Sequence, residues 1–226
     1  ANLPSKCVFI SGTTTASRTN SNDTIKNCNI HDYFNPASAS SGVYIGSGST
    51  DIGIVGNKLF QSSERVLTSN SLHSAINITN TSGNNFWVAG NTIGYSNQSG
   101  TGTYSIAGAS NVFKAIYMNV GSTASSGIQD NLITSISHSS NGAGTGVSSP
   151  STIVYIDNGL VNISGNTIGS LSSTSSITYS AANTGNSQFI GIASYGLGNF
   201  VCNDNSIGGI LVSNTSTGST SFSAIT

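Results

Sequence analysis

Charged side chains are scarce in this chain. Of its 226 residues six are Lys or Arg and seven are Asp or Glu, a charged fraction of 6%, where an ordinary globular domain carries roughly 25%. With so few cations and a net charge of −1, there is no basic footprint for nucleic acid to bind. No apolar run approaches the ~18 residues of a membrane span, so membrane insertion is not expected. Cysteine occurs three times, at Cys7, Cys28 and Cys202, with no paired spacing for zinc and no disulfide framework. Phosphate-binding loops, nucleophile elbows, HExxH helices and calcium-binding glycine repeats are all missing, and neither a cofactor nor a metal is expected. Helix-length apolar stripes are missing too, and Gly, Asn and β-branched residues work against helices.

What fills the chain instead is small and polar. Ser (44), Thr (24), Asn (27) and Gly (27) account for 122 residues. Such an uncharged, hydroxyl-rich surface points to a secreted or cell-surface protein, an extracellular location argued from composition alone.

Two motifs repeat in step. The first is an aliphatic residue, two spacers, Asn, a spacer, then Ile or Leu. It reads Ile54-Val-Gly-Asn57-Lys-Leu59, Val88-Ala-Gly-Asn91-Thr-Ile93, Ile128-Gln-Asp-Asn131-Leu-Ile133, Ile163-Ser-Gly-Asn166-Thr-Ile168 and Cys202-Asn-Asp-Asn205-Ser-Ile207, with Cys28 taking the Asn place in an earlier copy. The second is aliphatic, outward, aliphatic: Val8-Phe-Ile10, Val43-Tyr-Ile45, Ile76-Asn-Ile78, Ile116-Tyr-Met118, Val154-Tyr-Ile156 and Ile190-Gly-Ile192. Period-2 alternation means short half-buried strands, and like positions recurring one repeat later mean successive turns of a parallel coil. The residue before each Asn, or before Cys28 in the earlier copy, is Asn, Gly or Asp, the types that adopt left-handed backbone most readily, as a sharp corner requires. Asn57, Asn91, Asn131, Asn166 and Asn205 then stack as a structural ladder about 4.8 Å per step.

These turns, set among short aliphatic strands, resemble the right-handed parallel β-helix superfamily with pectate-lyase-like repeats over essentially the whole chain. The resemblance implies an all-β solenoid, a single segment over 1–226 of about six coils of 33–40 residues with three short strands each. The excess residues are expected as long loops before each first strand, at Ser96–Val112, Ser137–Ser151 and Ser172–Ser187. Phe222–Thr226 reads as the opening strand of a further coil. The absence of polar caps implies a longer repeat protein or end-to-end stacking with itself.

In that superfamily lyases use a Lys or Arg base with acidic calcium ligands, and glycosidases use paired carboxylates. Neither set carries over. No Lys or Arg follows Lys114, and the outward slot of the first strand holds Phe9, Tyr44, Asn77, Tyr117, Tyr155 and Gly191. Asp130 and Asp204 share a corner two coils apart, about 9.6 Å by strand spacing, beyond the ~6.5–9.5 Å of an inverting pair. No catalytic residue is assigned. Phe9, Tyr44, Tyr117 and Tyr155 form an interrupted aromatic stripe suited to stacking on sugars. The leading expectation is a non-enzymatic structural or adhesive module, similar to the solenoid regions of large exported bacterial adhesins and filaments. The alternative is a carbohydrate-binding or carbohydrate-active domain, with surface glycans as partner.

Overall fold

A computed structural model describes residues 3–12, 15, 19–196 and 199–226. The chain passes in order through parallel sheets and returns to the first one about once per repeat. The first sheet has seven strands, Lys6–Ile10, Ser40–Ile45, Leu72–Asn80, Val112–Val120, Ser151–Asn158, Ser187–Ser194 and Thr220–Ile225. The second contains the strand before each Asn corner, from Thr24–Lys26 to Phe200–Asn203, and the third the strand after it, from Asn29–His31 to Ser206–Gly208. Every strand pairs parallel with its counterpart in the neighbouring repeats, Ile54 on Val88 and Val88 on Ile128 for example. All-β architecture with stacked parallel sheets is consistent with a parallel β-helix.

Two expectations need correction. From the second coil on, each coil contributes a strand to each of four long sheets, not three, because the segments expected as loops contain one more. Arg65–Leu67, Tyr104–Gly108, Ile136–Ser140, Ile177–Ala181 and Ile210–Asn214 make a fourth parallel sheet. Its inward residues include Ile106, His138 and Tyr179, so Ser and Thr between them occupy outward positions of a strand. Ile136 and Ile210 belong to this sheet, and Leu171 is 77% exposed.

The second correction is one of register. Ile190-Gly-Ile192 is not the sixth copy of the first-strand motif: Ile192 lies beside Val154 and Ile225, while Ile190 lies beside Thr152. The outward slot is therefore Ala193, not Gly191. Cα pairing skips Gly42, Ala75, Ala115, Ile153 and Gly191, one residue per strand. A Cβ on Gly191 would lie 2.6 Å from the Ala224 carbonyl oxygen and 3.2 Å from Ile207. The strands bend there, and strict alternation slips by one.

The corner follows the sequence closely. Asn27, Gly56, Gly90, Asp130, Gly165 and Asp204 all have positive φ, between 53° and 67°. That places each following Asn side chain in the column. The Asn91 amide donates to Asn131 Oδ1 at 2.9 Å and to the Ile54 carbonyl at 2.8 Å, while its own Oδ1 accepts from the Asn57 backbone N–H at 2.9 Å and the Asn57 Nδ2 at 3.0 Å. Asn131 and Asn166 repeat the pattern. Both donors and both lone pairs of the Asn91, Asn131 and Asn166 amides are thus used, the condition under which burying them costs little. At Cys28 the ladder stops: its backbone N–H still donates to Asn57 Oδ1 at 2.9 Å, but there is no side-chain amide to donate as well.

Inside lie continuous aliphatic columns, among them Val43, Ile76, Ile116 and Val154, all fully buried. A polar chain crosses this core. Ser40 Oγ meets His73 Nδ1 at 2.7 Å, His73 Nε2 meets the Tyr104 hydroxyl at 2.9 Å, and that hydroxyl meets Tyr33 at 2.8 Å. Burial, with the nearby Arg65 charge, pushes the His73 imidazole down to about 3; burial, with His73 as neighbour, does the same to His138.

Two predictions follow from the corner and the core. Asn131→Ala strips partners from the buried Asn91 and Asn166 amides and is expected to lower the unfolding free energy by about 2–4 kcal/mol. Cys28→Asn extends the ladder and should raise it by about 0.5–1.5 kcal/mol; urea unfolding measures both. The depressed imidazoles set the second. Between about pH 6.5 and pH 3 the unfolded chain binds protons that the folded chain refuses, so stability falls as pH drops through this window. Each imidazole contributes up to about 1.4 kcal/mol per pH unit. Urea midpoints measured from pH 7 to 4.5 should fall, and His73→Phe should flatten the slope; an unchanged midpoint would refute it.

Candidate functional site

The outward face of the first sheet holds the residues singled out as a sugar-stacking stripe. The register Phe9, Tyr44, Asn77, Tyr117, Tyr155 does run across adjacent strands. The stripe is divided into two stacked pairs. Phe9 and Tyr44 have ring centroids 5.5 Å apart at an interplanar angle of 4°, and Tyr117 and Tyr155 lie 5.6 Å apart at 8°. Asn77, buried, separates them and accepts a hydrogen bond from Thr79 Oγ1 at 2.8 Å.

Each pair carries a lysine that the motif did not reveal. Lys6 Nζ lies 4.7 Å from the Tyr44 ring centroid, and Lys114 Nζ lies 3.1 Å from that of Tyr155. Both occupy one register column, Lys6, Ser41, Ser74, Lys114, three residues before the first aromatic of their pair. By simple alternation such a residue faces inward. The bend at Ala115 turns Lys114 out over the rings, which is why counting by twos missed it.

The two clusters differ in access. Phe9 is 60% exposed, whereas Tyr155 is 4% exposed and is also touched by Tyr195, centroids 5.5 Å apart. Beside them Asp157 accepts from the Tyr117 hydroxyl and the Asn119 amide, each at 2.8 Å. Alternation does place Asp157 outward with Tyr155, so its proximity was available from sequence. Burial pushes the Lys114 ammonium down to about 8 despite the opposing pull of Asp157. Burial and the adjacent Asp157 raise the Tyr155 phenol to about 12, and the same two causes raise Tyr117. Both phenols therefore stay neutral, and Asp157 is engaged in tying one strand to the next. The Tyr117–Tyr155 cluster is a clamp between coils. The Phe9–Tyr44 pair is the part of the stripe a ligand can reach.

The remaining sequence-assigned positions are structural. Asp130 and Asp204 both sit in the left-handed corner slot, and Asn57, Asn91, Asn131, Asn166 and Asn205 form the column described above. Among the described residues no group of three or more His, Cys, Asp or Glu side chains is arranged to hold a metal ion. Compared with family models, curated proteins and solved structures, the chain matches none.

The clamp reading has a direct check. Tyr155→Ala should cost about 3–5 kcal/mol of stability as a buried aromatic truncation, while Phe9→Ala should stay within about 1 kcal/mol. In a pH titration followed by NMR of the lysine side-chain methylenes, the Lys114 resonance is expected to move with a midpoint near 8; a midpoint near the ordinary lysine value of about 10.4 would contradict its burial against Tyr155.

Proposed function

We propose that this chain is a right-handed parallel β-helix acting as a non-enzymatic structural or adhesive module of a secreted or cell-surface protein. Right-handedness is the sense in which parallel strands are connected in nearly all known cases. The observation that carries the functional reading is the unbroken like-on-like register: seven strands pair in sequence across the first sheet, and four asparagines in succession donate to the next one in the column. A stack of this kind gains length at about 4.8 Å per coil and is stabilised through nearest-neighbour contacts, the economy of a stalk or spacer. The same coil-on-coil pairing suits continuation into further coils or end-to-end association with a second copy. The uncharged, hydroxyl-rich exterior suits an extracellular setting with glycans as the adhesive partner.

Pulled from its ends in a force spectrometer, such a module should unravel coil by coil. Successive contour-length increments of about 12–14 nm are expected, from repeats of 33–40 residues at up to ~3.6 Å per residue. Unfolding of the whole chain in one step, or release of reducing ends or unsaturated products from any member of a polysaccharide panel, would overturn the reading.

A further inference from the structure

The connection from the third sheet to the fourth varies sharply between neighbouring coils. In the coil containing Asn131, strands Leu132–Thr134 and Ile136–Ser140 are joined by Ser135 alone, which turns the chain with φ +52°. In the coil before it the same connection runs over 95–103, and in the coil after it over 170–176. A short coil between two long ones leaves a gap. The two excursions stand two strand spacings apart, about 9.6 Å between backbones, and enclose a cleft of about 590 Å³. Its floor is one coil wide and includes Ser135 and Ser137; its walls include Tyr95 and Thr103 on one side and Ser173 and Ser175 on the other.

The near wall is anchored at both ends. Ser135 O accepts the backbone N–H of Tyr95 at 3.2 Å and that of Tyr104 at 2.9 Å, pinning the excursion where it leaves and rejoins the coil. On the far side Ile136 N–H donates to Ser176 O at 3.1 Å. The cleft is therefore a product of backbone pairing between coils.

Its chemistry is uniform. No charged side chain lines it. The side-chain hydroxyls of Tyr95, Thr103, Ser135, Ser137, Ser173 and Ser175 make no hydrogen bond to any described residue. Each is both donor and acceptor. A charged ligand would find no counter-charge here, and an apolar one would strand hydroxyls without partners. A ligand that itself presents closely spaced hydroxyls satisfies both constraints, and the Tyr95 ring adds one flat face for its C–H surface. We propose that this cleft is a binding site for a neutral oligosaccharide. It gives the adhesive half of the reading above a location, and it is lost on a ligand titration that leaves the stalk role untouched.

The test is a titration of the isotope-labelled chain with maltohexaose, cellohexaose, xylohexaose and mannohexaose, with hexagalacturonate as an anionic control, read by amide chemical shifts. At least one neutral hexasaccharide should give saturable shifts confined to residues 95–103, 134–137 and 170–178, with a dissociation constant of about 10 mM or tighter. Tyr95→Ala, and Ser137→Trp, which fills the floor from outside the core, should each weaken it about tenfold or more with unchanged thermal unfolding. Trp87→Ala, which removes a 45% exposed aromatic on a different sheet, should leave it unaltered. Absence of saturable shifts with all four sugars, shifts centred elsewhere, unchanged affinity in Tyr95→Ala, or tighter binding of the anionic control would each overturn the proposal.

Discussion

The structure depends on one stereochemical constraint, a single left-handed residue before each asparagine of the column. That residue turns the chain through the corner between the second and third sheets. It also aims the next side chain along the stack, where an amide has the two donors and two lone pairs needed to engage the coils on either side. Burying a primary amide is unfavourable unless all four are used, so the column enforces register: a one-residue slip would unpair every member and turn the aliphatic rows outward. The aliphatic columns supply the greater part of the burial, and a two-residue slip would leave them facing inward while still unpairing the amides.

With register fixed, variation is confined to what projects from it. Outward positions of the first sheet are used twice for an aromatic pair with a lysine above it, once in an accessible setting at Phe9 and Tyr44 and once in a closed one at Tyr117 and Tyr155. The closed cluster ties adjacent coils together through Asp157, so aromatic content alone does not mark a ligand surface. Connections between the third and fourth sheets are the other variable. Their unequal lengths shape a hydroxylated hollow beside Ser135 without altering the core beneath it.

Much of this was legible in the residues because the corner demands unusual types. Gly or Asp before an Asn, repeated at intervals of 34–40 residues, has few explanations other than a stacked left-handed turn. The inward aliphatics of the first three sheets followed from simple alternation. The fourth sheet did not, because its inward positions are filled by residues such as His138 and Tyr179 among serines that resemble a loop. Lys114 was hidden by the bend at Ala115 and the true sixth first strand by its counterpart at Gly191, since alternation assumes a straight strand. The cleft is a property of three successive connections together, and no single segment announces it.

The side-chain to side-chain hydrogen bonds of the asparagine column all point one way, from Nδ2 of each coil to Oδ1 of the coil that follows it in sequence. Their dipoles therefore add, much as peptide dipoles add along a helix, and the column acquires a polarity: acceptor oxygens face one direction of the axis and donor nitrogens the other. A two-fold, face-to-face meeting of like coils would oppose like groups. Any association that prolongs the column is accordingly vectorial, built from heterologous contacts of donor on acceptor, and a fibre made this way has two chemically distinct tips.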